Sequence, residues 1–345
     1  MTDAPARSGD GAALRPRVGR VTDLVSAADI AAAANRIAGV AVRTPLVPYP
    51  GQRFLIKAES LQPTGSFKIR GAYAAISALD DEARRRGVIA HSSGNHAGAV
   101  GYAAARLGVP AVVVIPANAP QVKLAAVRAS GAEIVTVAPS LSARVAATEE
   151  LIARHGYTLI PPFDHPGIIA GQGTAGLEIA ADCPAADLVV VPVSGGGLIA
   201  GIAAAVKAAR PEARIVGVEP ALAADARESL RAGRRVAWDP QQAQRTIADA
   251  LRVEQVGELT FEHIRRYVDD IVTVSEDEIR VAVRRLACEA RLVSEPGGAV
   301  AVAACLLRER DLPAARAPVA VLSGGNIEPA LLAAILAEAA AEPAA

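Results

Sequence analysis

Residues 189–201 read VVVPVSGGGLIAG. A run of β-branched residues leads into Ser194 and three glycines, and an apolar stretch follows from Leu198. Such a run, closed by glycines, reads as a strand buried on both faces, and a strand entering a helix through a glycine turn is half of a βα unit. The pattern repeats along the chain. Strands are expected at 54–58, 88–91, 111–115, 133–137, 188–192, 215–219, 271–274 and 319–322. Helices are expected at about 67–79, 97–107, 121–130, 141–155, 167–182, 198–209, 276–290, 297–307 and 327–340. Alternation of this kind argues for an α/β protein with parallel sheets covered on both faces. The elements are too many for one comfortable sheet, so two α/β domains are expected. The segment 222–260, with Trp238 and Pro240, has the weakest periodicity and reads as irregular or as short helices.

The 345 residues are 52% hydrophobic, enough for a substantial core. Lys plus Arg equals Asp plus Glu at 36 each, so no global field points to nucleic acid or to a membrane. No apolar run is long enough to span a bilayer, and the N-terminus lacks the apolar segment of a secretory signal. Residues 1–20, rich in Gly, Pro and Arg, read as a disordered tail. Cys183, Cys288 and Cys305 are odd in number and widely spaced, which fits a reducing, cytoplasmic setting.

Ligands of parallel sheets sit at the carboxyl ends of strands, so the chemistry belongs in the turns that follow them. The loop Ser194, Gly195, Gly196, Gly197 and Leu198 can converge backbone N–H groups on a phosphate. Read alone it also fits a dinucleotide, because Gly195, Gly197 and Ala200 satisfy G-x-G-x-x-A and Glu219 ends the next strand. A second turn is TGSFKIRGAYAAI, 64–76. Only four of the 36 basic residues are lysines, so Lys68 stands out. Ser66 is expected to cap the helix and leave Lys68 in its first turn, where the helix dipole lowers the amine pKa, as a Schiff-base lysine needs. Lys57 is a rival amine that Glu59, two residues on, is expected to pair. A third turn, Ser92 to His96, offers hydroxyls, an amide and N–H groups suited to a carboxylate. A fourth, after the last strand, places Ser323 where a hydroxyl can face a ring nitrogen.

Taken together these turns resemble the fold-type II pyridoxal-phosphate enzymes (tryptophan synthase β-like), and within them the serine/threonine dehydratase and serine racemase group. The resemblance runs from about Ile30 to Ile335 and is carried by KAESLQPTGSFKIRGA (57–72), HSSGNHAGAVGYAA (91–104), VPVSGGGLIAGIA (191–203), GVEP (217–220), DDIVTVSEDEI (269–279), EPGGAV (295–300) and LSGGN (322–326). It implies pyridoxal 5'-phosphate (PLP) joined to Lys68, Phe67 beside the ring, Asn95 on the ring hydroxyl, Ser194 to Leu198 on the phosphate and Ser323 on the pyridine nitrogen. It implies the substrate carboxylate at Ser92, Ser93, Gly94, Asn95 and His96, with Arg144 where racemase-like members carry an arginine. Ser93 matches racemases and hydroxyaspartate dehydratases, whereas many dehydratases have alanine there. Glu219, the Ala223 carbonyl and Asp225 match a Mg²⁺, Ca²⁺ or Mn²⁺ site of the same subgroup. The implied fold is a large domain, 21–86 with 164–340, holding an inserted small domain, 87–163, in a homodimer. The implied activity is β-elimination from L-threonine and L-serine, with serine racemisation or hydroxyaspartate dehydration as alternatives. A nicotinamide enzyme is the remote alternative and leaves Lys68 and Ser323 unexplained; a non-catalytic sensor is another. Ala250, where relatives usually have glycine, and Gly297 and Gly298 depart from the pattern.

Overall fold

The computed structural model describes residues 23–92, 94–117 and 121–338. The tail expected over 1–20 and Ser93 lie outside the described residues. Among the described residues ten strands are formed: β1 Leu46–Pro48, β2 Leu55–Ala58, β3 Val88–His91, β4 Ala111–Pro116, β5 Glu133–Val137, β6 Thr158–Leu159, β7 Leu188–Pro192, β8 Arg214–Pro220, β9 Asp270–Val274 and β10 Pro318–Leu322. They make two sheets, ordered β1-β2-β10-β7-β8-β9 and β5-β4-β3-β6. All pairings are parallel except β1 with β2.

Alternation along each strand explains the layers. In β7, Val190 faces a core shared with helix Pro296–Leu307, while Val189 and Val191 face one shared with helix Gly197–Ala209. Both faces of the larger sheet are therefore covered, and its central strand is apolar throughout. In the smaller sheet, Val88 and Ala90 of β3 pack against helix Asn95–Leu107, and Ile89 packs toward helix Leu141–His155.

Helix Lys68–Ser77 joins the two halves. Ile69, Ala72 and Ile76 share a core with β3, and Ala74 packs with Ile30 and Ile169 of helices Ala27–Ile37 and Pro166–Asp182. Its crossing with Pro166–Asp182 is close: a β-carbon on Gly171 would sit 2.6 Å from the Cα of Gly71. Only glycines allow backbones to approach so nearly.

The weakly periodic segment 222–260 contains helices Asp225–Ala232 and Pro240–Ala243 and the start of Glu258–Tyr267. The helix expected over 276–290 is regular at Glu276–Arg285 and ends in a wider π-type turn, Leu286–Ala290. Among the described residues no helix is long and apolar enough to cross a membrane.

Candidate active site

Strand order places the lysine turn beside the serine turn. β2 and β10 are neighbours, so the chain leaving β2 meets the chain leaving β10. Ser66 bridges Gly324, Phe67 N donates to the Ser323 carbonyl at 3.1 Å, and Gly325 N donates to the Gly65 carbonyl at 2.8 Å. This overturns the expected cap: no side chain caps helix Lys68–Ser77, and the buried Ser66 hydroxyl has no hydrogen-bond partner. Ser66 serves the bridge through its backbone.

Lys68 begins the helix and donates from Nζ to the Pro162 carbonyl at 2.8 Å. Its pKa is lowered to about 8, chiefly because burial disfavours the ammonium; the nearby Glu295 carboxylate acts in the opposite direction. The expected direction is found, with burial as its leading cause. Lys57 is no rival. It is fully buried, donating to Glu178 at 2.5 Å and to the Thr44 carbonyl at 2.6 Å. Its carboxylate partner is Glu178, whereas Glu59 pairs with Arg70, a correction to the expected Lys57–Glu59 pair.

One cavity of about 1010 Å³ gathers Phe67, Lys68, Ser92, Gly94, Asn95, His96, Arg144, Ser194, Gly195, Gly196, Gly197, Leu198 and Ser323. The glycine loop enters helix Gly197–Ala209 with Gly196 in the left-handed region at φ 90°, which a side chain would strain. Asn95 starts its helix, donates from Nδ2 to Glu295 at 2.5 Å and accepts at Oδ1 from Asn326 at 2.8 Å. An amide nitrogen carries two hydrogens, so Asn95 retains a second donor. His96 is buried and its Nε2 bonds the Ile160 carbonyl at 2.8 Å. Burial and the Lys68 charge push its pKa down to about 3, so it is a neutral anchor for the Ser92–His96 turn.

Arg144 lies in the first turn of helix Leu141–His155 and its buried Nε has no hydrogen-bond partner. His91 lines the same cavity; its pKa is lowered by burial first and by Arg144 second. Two departures from the family pattern meet here. A β-carbon on Gly297 would lie 3.2 Å from that of Ala250, so the added methyl of Ala250 is accommodated opposite a residue without one.

Glu219, Ala223 and Asp225 stand apart from this cavity. Glu219, near the end of β8, accepts from Ala226 N at 3.1 Å and Arg227 N at 2.8 Å, so it caps helix Asp225–Ala232. Both Asp225 carboxylate oxygens are buried without a hydrogen-bond partner. Burial raises the pKa of both acids. Two hard oxygens left unsatisfied next to a second carboxylate fit a divalent cation. Among the described residues no group of three or more His, Cys, Asp or Glu is arranged to hold a metal, so such a cation would depend on backbone carbonyls and water.

Sequence reasoning assigned no role to Glu295, Asp164 or Thr260. Glu295 is the N-terminal flank of an otherwise apolar helix and is only 4% exposed. An acid ahead of a wholly apolar helix was the available signal. Asp164 and Thr260 carried none, because their partners are distant in sequence.

A family model described as "Pyridoxal-phosphate dependent enzyme" matches residues 37–324. The chain belongs to that family, and its cofactor is PLP. It is 41% identical over 313 residues to the L-threonine ammonia-lyase of Thermotoga maritima, covering 88% of this chain and 76% of the relative. It is 40% identical over 306 residues to the L-threo-3-hydroxyaspartate ammonia-lyase of Saccharomyces cerevisiae, covering 87% and 93%. Among solved structures it is similar to maize serine racemase, with a TM-score of 0.85, 36% identity and coverage of 90% of this chain and 97% of that one.

Proposed function

We propose that the chain is an ammonia-lyase that removes the β-hydroxyl of L-threonine and L-serine, giving a 2-oxo acid and ammonia. The observation that carries this reading is the buried Lys68 amine, with its lowered pKa, in one cavity with the glycine loop, Asn95 and Ser323. When bound, PLP supplies an electron sink that acidifies the substrate Cα–H. Lys68 would hold the cofactor and would serve as the base for the Cα proton, with the Pro162 carbonyl orienting its Nζ. The N–H groups of Ser194 to Leu198 bind the phosphate, and Phe67 packs beside the ring. Asn95 would give its second amide hydrogen to the ring hydroxyl. Ser323 would meet the pyridine nitrogen with a neutral hydroxyl, which would not hold it protonated as an aspartate would and so would favour prompt loss of the β-hydroxyl. The Ser92–His96 turn holds the substrate carboxylate.

A second reading is favoured by Arg144. A guanidinium with an unpartnered Nε at the cavity wall suits a substrate with a second carboxylate, as in hydroxyaspartate, and Ser93 suits a second acid/base for racemisation. The test is a panel of L-threonine, L-serine and L-threo-3-hydroxyaspartate scored for 2-oxo acid and for inverted amino acid. Fastest turnover of L-threonine and L-serine without D-serine supports the first reading; D-serine, or a preference for hydroxyaspartate, moves the assignment to the second. Ser93→Ala is expected to suppress inversion more than elimination, and equal losses would remove a face-specific role for Ser93.

The proposal also includes the cation at Glu219, Ala223 and Asp225. Mg²⁺, Ca²⁺ or Mn²⁺ is expected to raise the melting temperature of the chelator-treated protein, and Asp225→Asn to abolish that rise; an equal rise in the variant places the ion elsewhere. We further propose a homodimer in the cytoplasm, following the resemblance and the free Cys183, Cys288 and Cys305. The division into 21–86 with 164–340 and an inserted 87–163 is supported by the smaller sheet, whose four strands run from Val88 to Leu159.

A further inference from the structure

The glycine loop is held from behind. Thr260, fully buried, donates its hydroxyl to the Gly195 carbonyl at 2.7 Å, and Gly257 N donates to the same carbonyl at 3.3 Å. A trans peptide is planar, with its C=O and following N–H pointing in opposite directions. Turning the Gly195 carbonyl toward Thr260 therefore turns the Gly196 N–H away from it. The contact is tight: a β-carbon on Gly196 would lie 2.8 Å from the Thr260 hydroxyl.

Thr260 is fixed in turn. The Asp164 carboxylate accepts from the backbone N–H groups of Glu258 and Thr260, each at 3.0 Å, and so caps helix Glu258–Tyr267 from a distant part of the chain. A β-carbon on Gly195 would lie 2.2 Å from the ring of Phe163, the residue before Asp164. Pro162, which takes the Lys68 hydrogen bond, comes just before that. One short segment thus meets the lysine, the glycine loop and the helix behind the loop.

We propose that Asp164 and Thr260 are positioning residues for the cofactor phosphate: Asp164 sets the first turn of helix Glu258–Tyr267, Thr260 sets the Gly195 carbonyl, and that carbonyl aims the N–H groups of the loop. The inference rests on the reading that Ser194 to Leu198 hold the PLP phosphate.

The test compares PLP with pyridoxal, which lacks the phosphate, by titrating protein stripped of cofactor. The parent protein is expected to prefer PLP. Thr260→Val, which keeps the shape and removes the hydroxyl, is expected to weaken PLP binding about tenfold, the loss of roughly one good hydrogen bond, with pyridoxal binding unchanged. Thr260→Ser is expected to restore the preference, and Asp164→Ala to reduce it at least as far as Thr260→Val does. The phosphorus resonance of bound PLP is expected to shift in Thr260→Val and return in Thr260→Ser. Should Asp164→Ala fail to fold, the Thr260 pair decides. An unchanged preference in Thr260→Val, or an equal fall for both ligands, overturns the inference while leaving the loop reading intact. A parent protein that binds pyridoxal as tightly as PLP removes the loop reading, and this inference with it.

Discussion

Lys68→Ala is expected to abolish turnover, with a loss of at least about four orders of magnitude, because one substitution removes both the covalent anchor and the general base. Loss of activity alone would not locate the covalent bond, so the companion measurement is borohydride reduction of the PLP-loaded protein followed by peptide mapping. The pyridoxyl group is expected on Lys68. A label on Lys57, Lys123 or Lys207 would overturn the site. Lys57 is buried and held by Glu178 and the Thr44 carbonyl, and Lys207 lies 3.0 Å from Asp269, so each of these amines already has a carboxylate partner. The pH dependence adds an independent check. Capture of PLP needs the free amine, and the Lys68 pKa lies at about 8 against an ordinary 10.5. The capture rate on stripped protein is expected to rise with pH and level off just above 8. A rate still climbing beyond pH 10 would mean that an ordinary exposed lysine reacts. Linkage fixes the sign for stability too. The folded state prefers the neutral amine, so this contribution is full above about 10.5 and is lost as the pH falls through about 8.

Strands buried on both faces were legible in the sequence because their apolar runs end abruptly. β3 and β7 fall where the alternation places them, and so does β5, although it is a part-exposed edge strand. β1 and β6 were missed; three and two residues long, they are too short to show a period. Helix Ala27–Ile37 was also missed, although Ser26 and Asp29 form a capping box that the spacing S-x-x-D announces. The residues of the site were legible through the family motifs, and their assembly follows from the adjacency of β2 and β10. What the sequence could not supply was pairing over long distances. Nothing local says that Lys57 meets Glu178, that Glu295 meets Asn95, or that Asp164 caps a helix beginning at Glu258. Charge pairing by proximity along the chain chose Glu59 for Lys57. In fact Glu59 lies beyond the end of β2, in a 3-10 turn, where it faces Arg70.

That misjudged pair leads to the largest expected effect on stability. Arg70 is fully buried two residues beyond Lys68 and forks onto both oxygens of Glu59, each at 2.8 Å, and both oxygens of Glu178, each at 2.7 Å. Thr174 accepts its fifth hydrogen at 3.1 Å, and the Val42 carbonyl shares an Nη2 hydrogen at 3.2 Å. With Lys57 the cluster holds two cations and two carboxylates, tying helix Lys68–Ser77 to the end of β2 and to helix Pro166–Asp182. Arg70→Ala is expected to cost about 3–5 kcal/mol, because Glu59 is left buried with its main counter-charge gone. Arg70→Lys is expected to recover only part of this, since one ammonium cannot make the double fork. Burial alone would raise the Glu59 pKa, and Arg70 outweighs it and holds the carboxyl below its ordinary 4.5. In the parent protein that stabilisation is present above about 4.5 and is lost as pH falls through the lower folded value. In Arg70→Ala only the burial effect remains strong, so Glu59 takes up a proton more readily and the penalty is expected to shrink between pH 7 and pH 5. Pairing the change with Glu59→Gln in a double-mutant cycle is expected to cost less than the sum of the single changes. Urea unfolding at both pH values measures all of this. A loss below about 1 kcal/mol at pH 7, or additivity in the cycle, would mean that the helix bearing Lys68 is held by its apolar faces and its glycine crossing instead.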